Sequence, residues 1–165
     1  NKRNVVRYFR FLSQTQEESN LNLKILINSC DEMAKSKMGA IIVLQKNNSL
    51  DFTLNESNYS KIQLTPQVLE SIFFKNSPLH DGAIVIKNNI IIATRVVLPV
   101  SDKSNIPSRY GLRHRAALGI TEKTDALVLV ISEQTGKIVY FKNGSFHSID
   151  SLEALKTSIT QDLSN

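Results

Sequence analysis

Short apolar runs alternate along the chain with segments in which apolar residues recur every three or four positions. A continuous apolar run predicts a strand covered on both faces, whereas the three-to-four spacing predicts an amphipathic helix. We predict strands at 40–45, 83–87, 90–98, 126–132, 137–142 and 145–149, with weaker strand signals near Phe52 and Ile62. We predict helices at 2–12, 21–37, 66–75, 111–120 and 151–162.

Residues that favour turns or cap helices delimit these elements. Asn88-Asn89 and Asn143-Gly144 predict tight turns, because asparagine and glycine tolerate positive φ. A threonine before a proline predicts the start of a helix, and a glycine after a helical pattern predicts its end. These helix signals are Gly39 at the end of the second predicted helix, Thr65-Pro66 at the start of the third, and Asp150 or Ser151 at the start of the last.

The predicted hairpins and crossovers together define a fold class. Hairpins imply antiparallel strand pairs, and helical crossovers imply parallel ones. The chain has 165 residues, which suits one domain of ordinary size. We predict an α/β protein, a single domain with a central mixed, twisted β-sheet flanked by helices. Residues 1–20 would form an N-terminal helix and linker, and residues 21–165 the functional domain.

The composition is that of a soluble globular protein, with 41% hydrophobic and 21% charged residues. No apolar stretch is long enough to span a membrane, and no signal peptide is evident. Because the chain does not begin with Met, we expect a fragment whose upstream part, including any membrane anchor, lies outside it. Its one cysteine, Cys30, falls in a helical pattern, which favours a buried thiol and a reducing, cytoplasmic environment.

The formal net charge of +5 suits an anionic ligand such as a nucleotide or a nucleic acid. A scattered excess of lysine serves solubility equally well. Binding of nucleic acid would require clustered basic residues with exposed stacking aromatics. Aromatic residues make up 7% of the chain and fall mostly in apolar stripes, so we expect no nucleic-acid partner.

The segment LHDGA, at residues 79–83, places an imidazole and a carboxylate directly before a predicted buried strand. Asp-Gly is common in turns, and a turn alone would explain the segment. The functional interpretation is that Gly82 permits the close approach of a ligand or of backbone. Asp81 would then project from the mouth of the strand as a general base or metal ligand, with His80 as a second metal-ligand position.

Two arginines flank a histidine in GLRHRAA, at residues 111–117, where a helix is predicted to begin. The helix dipole disfavours cations at this end by about 0.3–1 kcal/mol each. A bound anion would explain them, since backbone N–H groups and guanidinium groups both bind phosphate oxygens. A solvated basic turn, or a helix that begins earlier, is the alternative.

A polar pair, Ser132-Glu133, ends the predicted strand at 126–132. A hairpin loop explains the pair, because Thr135-Gly136 follows; a polar strand end facing a ligand crevice is the functional alternative. The histidines fit no zinc-binding spacing, and the sequence has no P-loop, no dinucleotide-binding glycine motif and no nucleophile elbow. A phosphate ligand would therefore be bound by another arrangement.

The order LHDGAIVI (79–86) and then RHRAALGI (113–120) closely resembles the paired DGA and RHR motifs of bacterial and archaeal diadenylate cyclase domains. The segments SPLHDGA, VLPVS and SEQTG, and GAIIV near residue 39, resemble the same family, and the resemblance covers residues 20–150. The whole is most similar to the membrane-anchored class, in which transmembrane helices precede the cyclase domain. The resemblance thus implies a cytoplasmic domain, tethered to the cell membrane by a segment absent from this chain.

This family condenses two ATP molecules into cyclic di-AMP and releases two pyrophosphates, so the resemblance implies a nucleotidyltransferase with ATP as its substrate. In the family each protomer holds one ATP, and two protomers meet face to face as a homodimer. A two-fold symmetric product is made most simply by two symmetric sites. Each 3′-hydroxyl then attacks the α-phosphate of the other nucleotide in line.

By the resemblance, Asp81 would orient or deprotonate the 3′-hydroxyl, and Gly82 and Ala83 would let the ribose and the α-phosphate approach. A divalent ion, Mn²⁺ or Mg²⁺, would neutralise triphosphate charge, with His80 and Asp81 as its protein contacts. Leu98 would line the adenine pocket. The contacts to ATP phosphates, or the residues that order the loop making them, would be Arg113, His114 and Arg115, together with Ser132 and Glu133 touching phosphate or metal.

One position departs from the family pattern. Members often have Thr directly before RHR, whereas this chain has Leu112, so a hydroxyl that could reach a phosphate is missing. A non-catalytic module that senses ATP or cyclic di-AMP is therefore the alternative to a cyclase. Such a module would keep the arginines but would tolerate the loss of Asp81, and the intact DGA segment favours the cyclase.

Overall fold

A mixed sheet with helices on both faces forms the architecture of the protein, in a computed structural model that describes residues 20–165. The predicted helix at 2–12 and most of the predicted linker lie outside the described residues. Within residues 20–165, no helix has both the length and the apolar character needed to cross a bilayer. The described helices are α1 (Leu23–Lys35), α2 (Pro66–Phe73), α3 (Leu112–Lys123) and α4 (Leu152–Ser164). The described strands are β1 (Ala40–Leu44), β2 (Tyr59–Gln63), β3 (Ala83–Lys87), β4 (Ile90–Val96), β5 (Leu127–Ile131), β6 (Ile138–Lys142) and β7 (Ser145–Ser148).

The strands follow the order β2-β4-β3-β1-β5-β6-β7 across the sheet. Strands β1 and β3 pair in parallel, and the other neighbouring pairs are antiparallel. The connection between the parallel strands runs through β2 and α2, whereas β3 and β4 follow each other as a hairpin, as do β6 and β7. The predicted α/β class, with one mixed sheet flanked by helices, is confirmed.

Alternate residues of the central strands enter two hydrophobic cores, one on each face of the sheet. In β1, Ile42 and Leu44 pack in the core that includes α1, α2 and α4, whereas Ile41 and Val43 pack in the core that includes α3. Coverage on both faces explains why these strands are apolar at every position. Cys30 is fully buried in the first core, and burial raises the pKa of its thiol to about 12, so the predicted buried thiol is confirmed.

The end of α1 corrects one predicted signal. Ser36 is the C-cap residue, and its hydroxyl lies within hydrogen-bond distance of the carbonyl oxygens of Glu32 and Met33. Lys37 then adopts a left-handed backbone with a φ of 53°. The prediction that Gly39 ends this helix is wrong, because the serine and the lysine already provide the capping bonds and the left-handed turn.

The other turn and cap signals are confirmed. The Thr65 side chain caps α2, and of the two candidates for α4 it is Ser151 whose side chain forms the cap. Asn88 has a φ of 56°, and both Asn143 and Gly144 have positive φ in the turn between β6 and β7. Local backbone chemistry therefore sets these limits as the sequence indicates.

Two strand predictions need correction. The residues around Phe52 form a short 3₁₀ turn, Asp51–Thr53, in which the backbone N–H of Asp51 donates to the Ser49 hydroxyl, so local bonds replace strand pairing. The prediction for Ile62 is confirmed by β2. Strand β4 stops at Val96 instead of residue 98, since the Val97 carbonyl accepts a hydrogen bond from the Thr53 hydroxyl instead of from a neighbouring strand.

Candidate active site

A cleft of about 1270 Å³ lies at one end of the central strands of the sheet. The N-terminal ends of β1 and β3 meet there with the C-terminal ends of β4 and β5 and with the first turn of α3. An open α/β sheet usually binds ligands at the carboxyl ends of its parallel strands, and here the cleft lies at the opposite ends. The sequence-predicted residues that line it are His80, Asp81, Gly82, Leu98, Arg113, His114, Ser132 and Glu133.

Gly82 brings β3 against β4 at the mouth of the cleft. It has a φ of +85°, and a Cβ at this position would lie 2.8 Å from the carbonyl carbon of Arg95. Arg95 has a positive φ as well, where the register between the two strands shifts. The close approach predicted at Gly82 is thus made by backbone, and it fixes the point from which Asp81 projects. Ala83 is fully buried, pairs with Val96 and does not line the cleft.

Asp81 and His80 form a pair of polar groups at this mouth. The Asp81 side chain is 80% exposed, and its Oδ1 lies 3.2 Å from Nε2 of His80. Nδ1 of His80 lies 2.6 Å from the carbonyl oxygen of Ser77, which can only accept, so Nδ1 carries a proton. In the neutral imidazole Nε2 is then an acceptor beside a carboxylate. Two acceptors side by side can together bind a cation.

Arg113 lies in the first turn of α3 and forms an ion pair with Glu133, with 3.2 Å between Nη1 and Oε1. The N-cap residue of this helix is Gly111, which has no side chain with which to cap it. The first N–H groups of α3 are therefore open to an anion at the same place as the guanidinium group. The sequence placed the arginine at the start of a helix, and the structure agrees.

His114 is buried in the wall of the cleft. Its ring stacks on Tyr110, with 4.3 Å between centroids and 7° between planes, and it packs obliquely against Phe141. Burial lowers the pKa of His114 below its ordinary value of 6.5, and the charges of Arg113 and Arg109 lower it further. Because the ring is neutral and packed between aromatic side chains, His114 is better suited to order the cleft wall than to bind phosphate by charge.

Arg115 does not line the cleft, and it is bonded to the segment 97–110 that forms one of the cleft walls. Its Nη1 donates to the carbonyl oxygen of Lys103 at 3.2 Å, and its own carbonyl oxygen accepts from the backbone N–H of Ser101 at 3.0 Å. The Ser101 hydroxyl also hydrogen-bonds to Glu122 of α3. This geometry favours a loop-ordering role for Arg115 over direct contact with ATP.

Ser132 and Leu98 both line the cleft, one as a polar and the other as an apolar residue. The Ser132 hydroxyl accepts from the backbone N–H groups of Gln134 and Thr135, so it orders the turn after β5 and keeps its own proton free to donate. Leu98 is nearly fully buried and presents an apolar surface to the cleft. These positions are compatible with a phosphate contact and an adenine contact, respectively.

Three cations in the cleft lining were missed by the sequence analysis: Lys37, Lys75 and Arg109. With Arg113 they outnumber the cleft carboxylates, so the cleft favours an anionic ligand. Isolated surface lysines carry no sequence signal. Arg109 lies close to the RHR segment in sequence, and this proximity is the signal that could have identified it.

The buried His114 predicts a specific pH dependence of stability. Its pKa is depressed in the folded protein, so its contribution to stability is complete above the ordinary value of 6.5 and is lost as the pH falls. The free energy of unfolding, measured by urea titration between pH 8 and pH 5, should therefore decline on acidification. His114→Phe retains an aromatic ring without a titrating group, and its decline should be shallower.

The control for this experiment is His147→Gln, which removes an exposed imidazole. The slope of that variant between pH 8 and pH 5 should match the wild type. Identical slopes for the wild type and His114→Phe would show that His114 does not hold a depressed pKa.

The sequence and the fold match known proteins over most of the chain. The family model described as DisA bacterial checkpoint controller nucleotide-binding, abbreviated DAC, matches residues 27–146. The chain is 37% identical over 139 residues to the diadenylate cyclase CdaS of Bacillus thuringiensis, an alignment that covers 84% of this chain and 67% of that protein. Across three curated relatives the chain spans 55 to 67% of their length.

Two solved structures have the same fold. A double mutant of DacA from Staphylococcus aureus superposes with a TM-score of 0.82 at 32% identity, over 87% of this chain and 95% of that one. A protein of Bacillus cereus, described as a hypothetical membrane spanning protein, superposes with a TM-score of 0.74 at 37% identity, over 78% of this chain and 63% of that one. Motifs, fold and alignment agree, and the chain belongs to the diadenylate cyclase domain family.

Proposed function

We propose that the chain is a diadenylate cyclase that condenses two ATP molecules into cyclic di-AMP and releases two pyrophosphates. The observation that carries the proposal is the exposed Asp81 carboxylate at the mouth of β3, in the same cleft as Arg113 and the uncapped start of α3. A 3′-hydroxyl needs a base, and a triphosphate needs fixed donors. The names of the relatives support this chemistry.

The proposed reaction consists of two equivalent displacements. In each, the 3′-oxygen of one ATP bonds to the α-phosphorus of the other, and the bond from that phosphorus to the pyrophosphate oxygen breaks. The hydroxyl proton passes to the carboxylate of Asp81, and pyrophosphate leaves with the bonding electrons. Arg113 and the N–H groups at the start of α3 stabilise the charge on the phosphate oxygens.

The donor set beside Asp81 fits a divalent ion that is shared with the substrate. The described residues contain no group of three or more His, Cys, Asp or Glu side chains that could hold a metal ion by themselves. Nε2 of His80 and the Asp81 carboxylate offer two donors, and phosphate oxygens would complete the shell, as is common for Mg²⁺. We assign these two residues to Mn²⁺ or Mg²⁺, which would neutralise triphosphate charge when bound.

A face-to-face homodimer is part of the proposal, since each nucleotide must reach the other. Four large apolar side chains that line the cleft are exposed, and we call them the cleft rim: Phe74, Val97, Val100 and Leu112. Exposed apolar side chains around a polar site are typical of surfaces that become buried in protein–protein contacts. The protomers would contact each other through the cleft rim and bring the two ATP molecules together.

A cytoplasmic location with a membrane tether completes the proposal. ATP is a cytoplasmic substrate, and the free buried thiol of Cys30 is compatible with a reducing compartment. The chain spans only part of the length of its relatives, and one solved relative is described as membrane spanning. The tether would belong to a segment outside this chain.

A sensing module is the second candidate function, and Leu112 is the observation that favours it. This first residue of α3 carries no hydroxyl where the family often has Thr, so one phosphate contact is absent. A sensor would bind ATP or cyclic di-AMP in the cleft without producing anything. The retention of Asp81 with its exposed carboxylate is the argument against it.

The test is a product assay. Purified protein is incubated with ATP and Mn²⁺, and separately with Mg²⁺, and the nucleotides are separated by chromatography beside a cyclic di-AMP standard. We expect a peak of cyclic di-AMP and two equivalents of pyrophosphate. Binding of ATP by calorimetry without any product at high protein concentration would exclude the cyclase and leave the sensor.

A further inference from the structure

Gly39 lies directly beneath the ion pair of Arg113 and Glu133. A Cβ built on Gly39 would be 2.9 Å from Cζ of Arg113 and 3.0 Å from Cβ of Glu133. Carbon atoms in van der Waals contact are about 3.5–4.0 Å apart, so the guanidinium group rests on bare backbone. The glycine makes room for both side chains of the pair.

The need for glycine here is a need for space and not for backbone conformation. The described glycines with positive φ are Gly82, Gly136 and Gly144, and Gly39 is not among them. Gly39 is also not the cap of α1, which ends at Lys35 and has Ser36 as its C-cap residue. An alanine could adopt the same backbone, and the near contacts that its side chain would make are with Arg113 and Glu133 of the ion pair.

The contact joins three elements that the fold holds rigidly. Gly39 directly precedes β1, Arg113 lies in the first turn of α3, and Glu133 follows β5. Strands β1 and β5 are paired through their cleft ends, where Ala40 lies opposite Ile131. The guanidinium group therefore packs on the backbone of Gly39 and pairs with the Glu133 carboxylate at 3.2 Å.

We infer that Gly39 is a positioning residue, which sets the place of the Arg113 guanidinium for the triphosphate. The inference rests on the proposed function, in which Arg113 binds phosphate. A bidentate arginine–phosphate contact requires defined geometry. A methyl group added at position 39 would displace the guanidinium group from its place. Gly39 touches no reacting atom and acts through Arg113.

The test is a double-mutant cycle of Gly39→Ala and Arg113→Ala, with binding of a non-reactive ATP analogue as the readout. The analogue has a methylene group in place of the oxygen between the α- and β-phosphorus, so turnover does not interfere. We expect each single variant to bind about tenfold more weakly, in the range of lost charge-assisted contacts. The double variant should be no weaker than Arg113→Ala alone, because both changes remove the same contact.

Ser104→Thr is the control, because it also adds one methyl group but at an exposed position that does not line the cleft, so affinity should stay at the wild-type value. Urea unfolding of Gly39→Ala should show a folded protein, which separates positioning from loss of structure. Unchanged affinity in Gly39→Ala, losses that add in the double variant, or an equal loss in Ser104→Thr would overturn the inference.

The inference and the proposed function can fail separately. Formation of cyclic di-AMP tests the function alone, whereas the cycle measures binding. If the wild type binds no analogue, the proposed function fails, and the cycle is then measured on the free energy of unfolding. Gly39→Ala should destabilise the protein less when Arg113 is already alanine, because the clashing group is gone, and additive effects would overturn the inference there too.

Discussion

Asp81→Asn should abolish the formation of cyclic di-AMP, lowering the rate by about 10²–10⁴-fold, the usual contribution of a general base. The asparagine has nearly the same shape, but it cannot take the proton of the 3′-hydroxyl. Because the Asp81 side chain is 80% exposed, the free energy of unfolding should change by less than about 0.5 kcal/mol. Product formation by chromatography and urea unfolding measure the two effects.

A second exposed aspartate provides the control for this variant. Asp102 lies on the 97–110 segment and does not line the cleft, so Asp102→Asn should keep the wild-type rate. Binding of ATP by calorimetry should persist in Asp81→Asn, which separates the loss of chemistry from the loss of substrate. A rate within a few fold of the wild type would remove Asp81 from the mechanism.

The buried parts of the fold could be predicted from the sequence because local and long-range signals agree there. Strands covered on both faces, such as β1 and β5, are apolar at every position, and the turn at Asn143-Gly144 has only one common interpretation. The residue at which a strand ends within an apolar run could not be predicted in this way. Val97 continues the apolar run of β4 in the sequence, yet its side chain is 81% exposed, and its carbonyl oxygen accepts from the Thr53 hydroxyl instead of from a neighbouring strand.

The candidate site could be predicted only as a set of motifs, since its geometry depends on contacts between distant segments. Residues 80–82 of the LHDGA segment and the first two residues of RHR line the cleft, and the three residues of RHR have different surroundings. Arg113 faces the cleft, His114 is stacked in its wall, and Arg115 holds a loop behind it. The sequence predicts a helix cap at Gly39, because a glycine that makes room for a distant arginine has no local signature.

Val97→Lys should reduce activity by about 10²–10³-fold at fixed protein concentration while leaving ATP binding intact. In the proposed homodimer each protomer places Val97 in the cleft rim, so the variant introduces two like charges into an apolar contact. Like charges brought together in an interface cost several kcal/mol. A lysine does not repel the triphosphate, so binding of the ATP analogue by each protomer should remain close to wild type. Sedimentation equilibrium with the analogue should show the variant as a monomer.

Phe52→Lys is the matched control, because Phe52 is also a large exposed apolar side chain but does not line the cleft. It should assemble and react like the wild type. The wild-type rate per protomer should increase with protein concentration until the dimer is saturated, since two chains form one reactive pair. The Val97→Lys curve should be shifted to much higher concentration with the same plateau. A rate per protomer that is independent of concentration while the wild type sediments as a monomer would contradict the two-protomer mechanism, because a single cleft would then hold both nucleotides.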